Sequence, residues 1–487
     1  MSPTETPLEK SKSSDAPQSI MEKQPAQGLG TDVGANVLTG TVANFDMDGE
    51  TSKRVLRKID LYLLPILMVT YLIQYAWLTT IFYLGYIASE FPCNYLFQKF
   101  NIARMCGITI ILWGIVLLCM TAANDFASLM ATRFFLGALE AGVSPCFVLM
   151  TAMFYRRSEQ PFRTAIWFSI NGMAQIVGGL AGYAIGFIKA DLPAWKFPFV
   201  IFGSLTIAWG FFFIFTTPSN PTTAKWLTAK EKEVAVLRLA ENRTGIDNRE
   251  WKWYQVREAL CDPQFYLLNI FMIAKNIPNG AVSAFGPLIL NGFGFSKFES
   301  TLLGMPSGAC QIVALWIGGY LSGRFANIRH FLMIGGVLIA ILGSSLIYAL
   351  PESNMIGRLL GYYLLVGYSV AFVQGLSLTQ ANVAGRTKKS VFTSTVFVSY
   401  CIGNLIGPQL FLDNEAPLYK TGFIGIIICF AIQVVVIAIM YLLLWRENRR
   451  RDRLAAEEGS DVGATEDLAE GLTDLTDREN KKFRYAL

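Results

Sequence analysis

The chain has 487 residues, of which 53% are hydrophobic and only 16% charged, with a mean hydropathy of +0.40 and a formal net charge of +5. This composition excludes a soluble globular domain. One histidine, and eight cysteines at no metal-ligand or redox spacing, argue against a metal centre. No nucleophile–base set or phosphate loop is present, so neither an enzyme, a cofactor nor a nucleic-acid partner is expected.

In chain order, residues 1–57 are polar, rich in Ser, Thr, Gly and Pro, and predict a disordered tail without a cleavable signal peptide. Residues 58–217 predict a first helix bundle. A run at 61–97 should supply two helices, followed by spans near 106–123, 127–153, 164–188 and 197–216. Each is about the 20 residues that cross ~30 Å of hydrocarbon. Residues 218–263 are polar and charged, with a helical stretch around 229–241. A second bundle, 264–445, follows with spans near 264–290, 301–321, 331–350, 356–379, 390–411 and 421–445. Residues 446–487 open with Arg446, Arg449, Arg450, Arg451 and Arg453 and then turn acidic, which predicts a solvated tail beginning at the headgroups.

The two bundles repeat. Arg133, Leu139, Gly142, Ser144, Phe147 and Val148 recur 225 positions later as Arg358, Leu364, Gly367, Ser369, Phe372 and Val373. The register fails ahead of Ala76, where the first half is short by about 22 residues, the counterpart of Asn279 to Ser300. A helix at 61–75 spans only about 22 Å, so the first helix reads as truncated and the chain as having 11 to 12 spans. An in-frame loss near 75/76, by a skipped exon or a misread gene boundary, would produce this.

Sidedness follows from charge. With twelve helices and Lys53 to Lys58 inside, the inner loops hold Lys99, Arg104, Arg156, Arg157, Arg163, Arg324, Arg329, Arg386, Lys388 and Lys389. The outer loops hold Lys189, Lys196, Lys297 and Lys420, so both tails and the central loop are expected in the cytosol. The architecture is therefore an all-α polytopic membrane protein of two six-helix parallel repeats, which resembles the major facilitator superfamily.

Longer strings narrow the resemblance. Arg133-Phe-Phe-Leu-Gly137-Ala-Leu-Glu140-Ala-Gly142 with Pro145, Tyr155, Glu159 and Arg163 is similar to the fourth helix and its exit in the anion:cation symporter family. The central loop (Pro218-Ser-Asn-Pro221, Trp226-Leu-Thr228, Asn242-Arg-Thr-Gly245) and the strings Asn382 to Lys389, Gly403 to Gln409 and Ala416 to Gly422 resemble fungal allantoate permease-like carriers. The resemblance implies a monomeric plasma-membrane carrier that imports a small organic anion (a carboxylate, ureide, vitamin or amino-acid derivative) with protons. An exporter of the same fold, or a sensor or inactive product left by the incomplete first helix, stand as alternatives.

Ionised groups inside a span cost about 2.5–3.5 kcal/mol and mark function. Arg133, in an Arg-x-x-x-Gly pattern, and Lys275, within Lys275-Asn-Ile-Pro-Asn279, are candidate anion ligands. Pro278 should break that helix near the midplane. Glu140, two turns beyond Arg133 on the same face, is the candidate for proton coupling. Asn171, Gln175, Gln311, Gln374 and Asn404 are polar candidates for the substrate. Glu90, Lys99, Arg104, Arg163, Arg324 and Arg358 are expected in gating or structural roles. Gly178, Gly179, Gly182, Gly403 and Gly407 should allow close helix approach.

Overall fold

In a computed structural model, the structure describes residues 80–185, 193, 196–232, 251–412, 415, 419–458 and 475–487. The expected tail at 1–57, the truncated first helix with its shortage near 75/76, and most of the helical stretch at 229–241 lie outside the described residues. Those described contain no strand. Eight of their helical stretches are long and apolar enough to cross a membrane.

The first half comprises α1 (80–99), α2 (Ile102–Cys119), α3 (Phe126–Glu140), α4 (Val143–Phe154), α5 (Gln160–Ile185) and α6 (Phe197–Thr216). A short helix, α7 (Trp253–Leu260), precedes the second half. That half comprises α8 (Pro263–Gly292), α9 (Lys297–Arg324), α10 (Arg329–Ala349), α11 (Met355–Leu365), α12 (Tyr368–Asn382), α13 (Arg386–Ile406) and α14 (Lys420–Glu458). Short connections with side-chain caps hold the turns: Asn101 accepts from the Arg104 N–H, Asp262 from that of Gln264, and Ser296 forms a capping box with Glu299.

The structure changes three expectations about the elements. The spans at 127–153 and 356–379 are each two helices, interrupted before Gly142 and Gly367, positions related by the repeat. At Gly367 a Cβ would sit 2.9 Å from the Gly336 carbonyl oxygen, so the bend brings α10 and α12 into backbone contact. Second, Pro278 does not break α8, which is continuous over 30 residues. Proline removes the N–H that would bond the Ala274 carbonyl, and Gln433 of α14 donates its Nε2 to that oxygen at 3.2 Å instead. Third, 446–487 is not solvated throughout: α14 continues to Glu458 with Arg446, Arg449, Arg450 and 452–457 exposed, but Arg451, Phe483, Tyr485 and Leu487 are buried. The reason is Arg451, whose guanidinium turns inward to donate to the carbonyls of Asp477, Asn480 and Phe483 at 2.8–3.3 Å. Burial, with Asp477 beside it, pushes the Tyr485 phenol well above its ordinary value, so its hydroxyl keeps its proton and donates to Asp477 at 2.8 Å.

Glycines set the closest helix contacts. A Cβ on Gly137 would strike the Phe82 carbonyl oxygen, and one on Gly85 that of Phe134, so α1 and α3 touch backbone to backbone. Gly172 of α5 and Gly308 of α9 meet in the same reciprocal way across the two halves. Gly403 and Gly407 pack against α8 as expected, whereas Gly178 has nothing within 4 Å and is not a packing glycine. Gly137→Val is therefore expected to abolish recovery of monodisperse protein, while Gly178→Ala leaves yield and gel-filtration profile unchanged. Equal recovery of the two variants would contradict this packing.

Candidate substrate cavity

Both halves contribute to a cavity of about 450 Å3, within the size range of small-molecule sites. Tyr86, Glu140, Ser144, Trp167, Phe168, Asn171 and Gln175 line it from α1, α3, α4 and α5. Lys275, Asn279, Ser283, Gln311, Phe372, Phe397 and Tyr400 line it from α8, α9, α12 and α13. The lining explains why α5 is less apolar than α4 and α6: its Asn171 and Gln175 face the cavity. A larger cavity of about 790 Å3 lies at the face carrying the basic loops, between α8, α14 and the 475–487 segment, and is not shared by both halves.

Lys275 is 2% exposed. Its ammonium donates to Asn276 Oδ1 at 3.2 Å and stands 4.0 Å from the Phe372 ring centroid and 5.2 Å from that of Tyr368. Among the described ion pairs none includes it. Glu140 faces the same cavity, and Arg133 lies near enough for its charge to act on that carboxylate. The cavity thus holds one ammonium, one carboxyl, four carboxamides and several hydroxyls between aromatic walls.

Those walls also form a floor. Phe168 of the first half and Phe372 of the second have ring centroids 4.9 Å apart, and Tyr400 stands 6.3 Å from Phe372, Tyr83 and Tyr86. From this layer to the basic face the halves stay together: a Cβ on Gly319 would press into Ala165, and Gln98 donates to Thr387 at 3.3 Å. In the other direction Gln175 accepts from Ser307 at 3.1 Å. Beyond it, a Cβ on Gly178 or on Gly304 would meet nothing within 4 Å, so α5 and α9 part away from the basic face.

Of the residues expected to bind substrate, Lys275, Asn171, Gln175 and Gln311 line the cavity, as does Glu140. Asn404 is not among the lining residues but accepts from Asn279, which is, at 3.0 Å. Gln374 is fully buried and ties α12 to α9 through the Gly318 carbonyl and Ser322 at 3.1 and 3.0 Å. Arg133 is not among the lining residues. Glu90 is buried one turn beyond Tyr86, accepting from Asn94 at 2.7 Å. Lys99, Arg104 and Arg324 are exposed, and Arg163 lies over the Tyr155 and Phe162 rings. Arg358 is buried, donating to the Ile347 carbonyl at 3.4 Å and stacked 4.6 Å from the Phe293 ring. The aromatic lining was missed, because Trp167, Phe168, Phe372 and Tyr400 suit a lipid-facing surface as well as a cavity wall; Asn279 is one helical turn from Lys275 and was within reach of the spacing argument.

Two repeat-related bundles that share a polar cavity, joined on one face and parted toward the other, define a secondary transporter rather than an enzyme. The Major Facilitator Superfamily model matches residues 59–408, and the chain belongs to that superfamily, among its fungal allantoate permease-like carriers. It is 35% identical to the allantoate permease of Saccharomyces cerevisiae over 85% of this chain and 78% of the permease. It is 31% identical to the thiamine pathway transporter THI73 of the same yeast over 92% of this chain and 89% of that one. The uncharacterized transporter C757.13 of Schizosaccharomyces pombe is 35% identical over 91% and 89%. Among solved structures, the proton:xylose symporter XylE bound to 6-bromo-6-deoxy-D-glucose superposes with a TM-score of 0.58 at 11% identity, over 77% of this chain and 86% of that one.

Proposed function

We propose that this chain imports a small organic anion together with protons across the plasma membrane, as a monomer working by alternating access with its basic face in the cytosol. The observation that carries the reading is Lys275, an ammonium held in the shared cavity without a carboxylate partner among the described residues. A carboxylate on the substrate completes that pair. Asn171, Gln175, Asn279 and Gln311 present donors and acceptors suited to amide or ureide groups, and the aromatic walls exclude water. A ureide carboxylate of the kind named by the yeast relative, or a vitamin or amino-acid derivative, satisfies all three features. Asn404 and Gln374 hold the lining helices in place. Glu140 takes and releases the proton, with Arg133 setting its balance from the same helix. Glu90, Lys99, Arg104, Arg163, Arg324 and Arg358 serve the helix ends that move. The excess of Lys and Arg on one face supports its cytosolic placement.

Radiolabelled uptake of a carboxylate panel at acidic and neutral pH tests the reading. Import should rise toward acid pH and collapse with a protonophore. With one proton per substrate, each pH unit of inward gradient supports about tenfold accumulation. Glu140→Gln should keep binding but lose accumulation and its pH dependence; uptake of that variant which still follows pH would remove Glu140 from the coupling.

A second reading, a chain that binds but does not complete the cycle, is favoured by the shortage of about 22 residues at 75/76. Inserting a segment of that length and gaining uptake that the present chain lacks would support it.

A further inference from the structure

The 475–487 segment is anchored on the second half and reaches the first. Its anchor is a buried charge cluster. Lys388, at the start of α13 and fully buried, pairs with Asp477 of the segment at 2.7 Å, with Glu258 of α7 at 2.9 Å and with Asp262 at 3.0 Å. Arg478 approaches Asp262 at 3.6 Å, offsetting the excess negative charge. Thr476 donates to Glu258 at 2.9 Å, Asn382 and Ala486 exchange two hydrogen bonds at 2.7 and 2.9 Å, and the Arg329 N–H donates to the Leu487 carbonyl at 3.2 Å.

From this anchor the segment touches the connection between α4 and α5. The Arg157 guanidinium lies 4.1 Å from the Phe483 ring centroid and donates to the Arg484 carbonyl at 3.1 Å. Arg329 of α10 donates to the Arg157 carbonyl at 2.6 Å, adjoining the same contact. Arg157 is thus held by the second half through both its side chain and its carbonyl. The contact lies at the basic face, where α5 and α9 are together, and among the described residues it has no counterpart where they part.

We propose that residues 475–487 form a strap that fastens the two halves at the basic face and lets go of Arg157 each time the carrier opens there. Fixed to the second half by Lys388 and Arg451, the strap travels with it and engages the first half only in the state open on the opposite side. It biases the equilibrium between the two states in proportion to the contacts it makes in one and not the other. The inference rests on the alternating-access reading.

The test needs no substrate. Gly304→Cys, placed where a Cβ on α9 meets nothing within 4 Å, is labelled from the side opposite the basic loops with a membrane-impermeant maleimide, with the chain lacking that cysteine as background. Deleting 475–487 is expected to slow labelling about fivefold or more, as the population moves to the state open at the basic face. Arg157→Gln in the full-length chain should move it in the same direction and add nothing in the deleted chain. Unchanged labelling of a monodisperse deletion variant would overturn the strap and leave alternating access standing. If the deletion variant aggregates, Arg157→Gln and Phe483→Ala in the full-length chain decide: slower labelling supports the strap, unchanged labelling overturns it. A parent cysteine not labelled from that side overturns both.

Discussion

Replacing Lys275 by methionine is expected to abolish transport while leaving the protein at least as stable as before. The substitution keeps the volume and removes a charge buried without a carboxylate partner among the described residues. Such an ion carries a desolvation penalty of several kcal/mol that the Asn276 hydrogen bond and the Phe372 and Tyr368 rings offset only in part until an anion enters. A hydrogen-bonded contact to a charged group contributes about 1.5–3 kcal/mol, so apparent affinity should fall roughly 10- to 150-fold. Thermal unfolding in detergent should occur at the same temperature or higher. Lys275→Arg should not restore uptake, because the longer planar head does not fit beside Phe372 in a pocket that holds a point charge. Retained uptake in the methionine variant would exclude Lys275 from the substrate path. Loss of uptake together with loss of stability would make it a structural residue.

Lys388→Met should do the opposite: its first effect is on stability. The ammonium is surrounded by Asp477, Asp262 and Glu258 at 2.7–3.0 Å, with Asp477 also buried. Removing it leaves three carboxylates facing one another with only the partly exposed Arg478 beside them, a loss of about 3–5 kcal/mol of the kind seen when one partner of a buried pair is deleted. Heating the variant in detergent before gel filtration should show it aggregating well below the parent. Adding Asp477→Asn to Lys388→Met should recover part of the loss, because the repulsion falls when one of the three charges is removed. A double variant no better than the single would show that the cluster is not electrostatically coupled. Lys275 and Lys388 are both buried lysines, and their surroundings assign them different work.

The helical architecture and much of the cavity were legible in the chain. Apolar runs of span length identify themselves because hydrocarbon admits only helices there, and the 225-residue repeat reports the relation between halves. Lys275, Glu140, Asn171, Gln175 and Gln311 were found because a polar group in such a run is costly and needs a reason. The aromatic residues were not, since Trp167, Phe168, Phe372 and Tyr400 suit a lipid-facing surface as well as a cavity wall. Pro278 misled the reading of α8, because the donor that replaces its missing N–H is Gln433, 155 positions away. The basic residues at 386–389 were counted for the side they mark, which is a property of the loop; that Lys388 is buried in an ion cluster depends on α7 and on 475–487 folding back over it.

By itself, then, the sequence determined the solvent this protein lives in, its number of halves, its family and the polar positions inside its spans, since all of these are set by local composition and periodicity. The tertiary structure alone decided which of those polar groups share a cavity, which face is closed around them, and that residues 475–487 are packed against the protein rather than solvated. Those outcomes depend on pairings between residues hundreds of positions apart, and one-dimensional pattern carries no record of which distant partner a buried charge will meet.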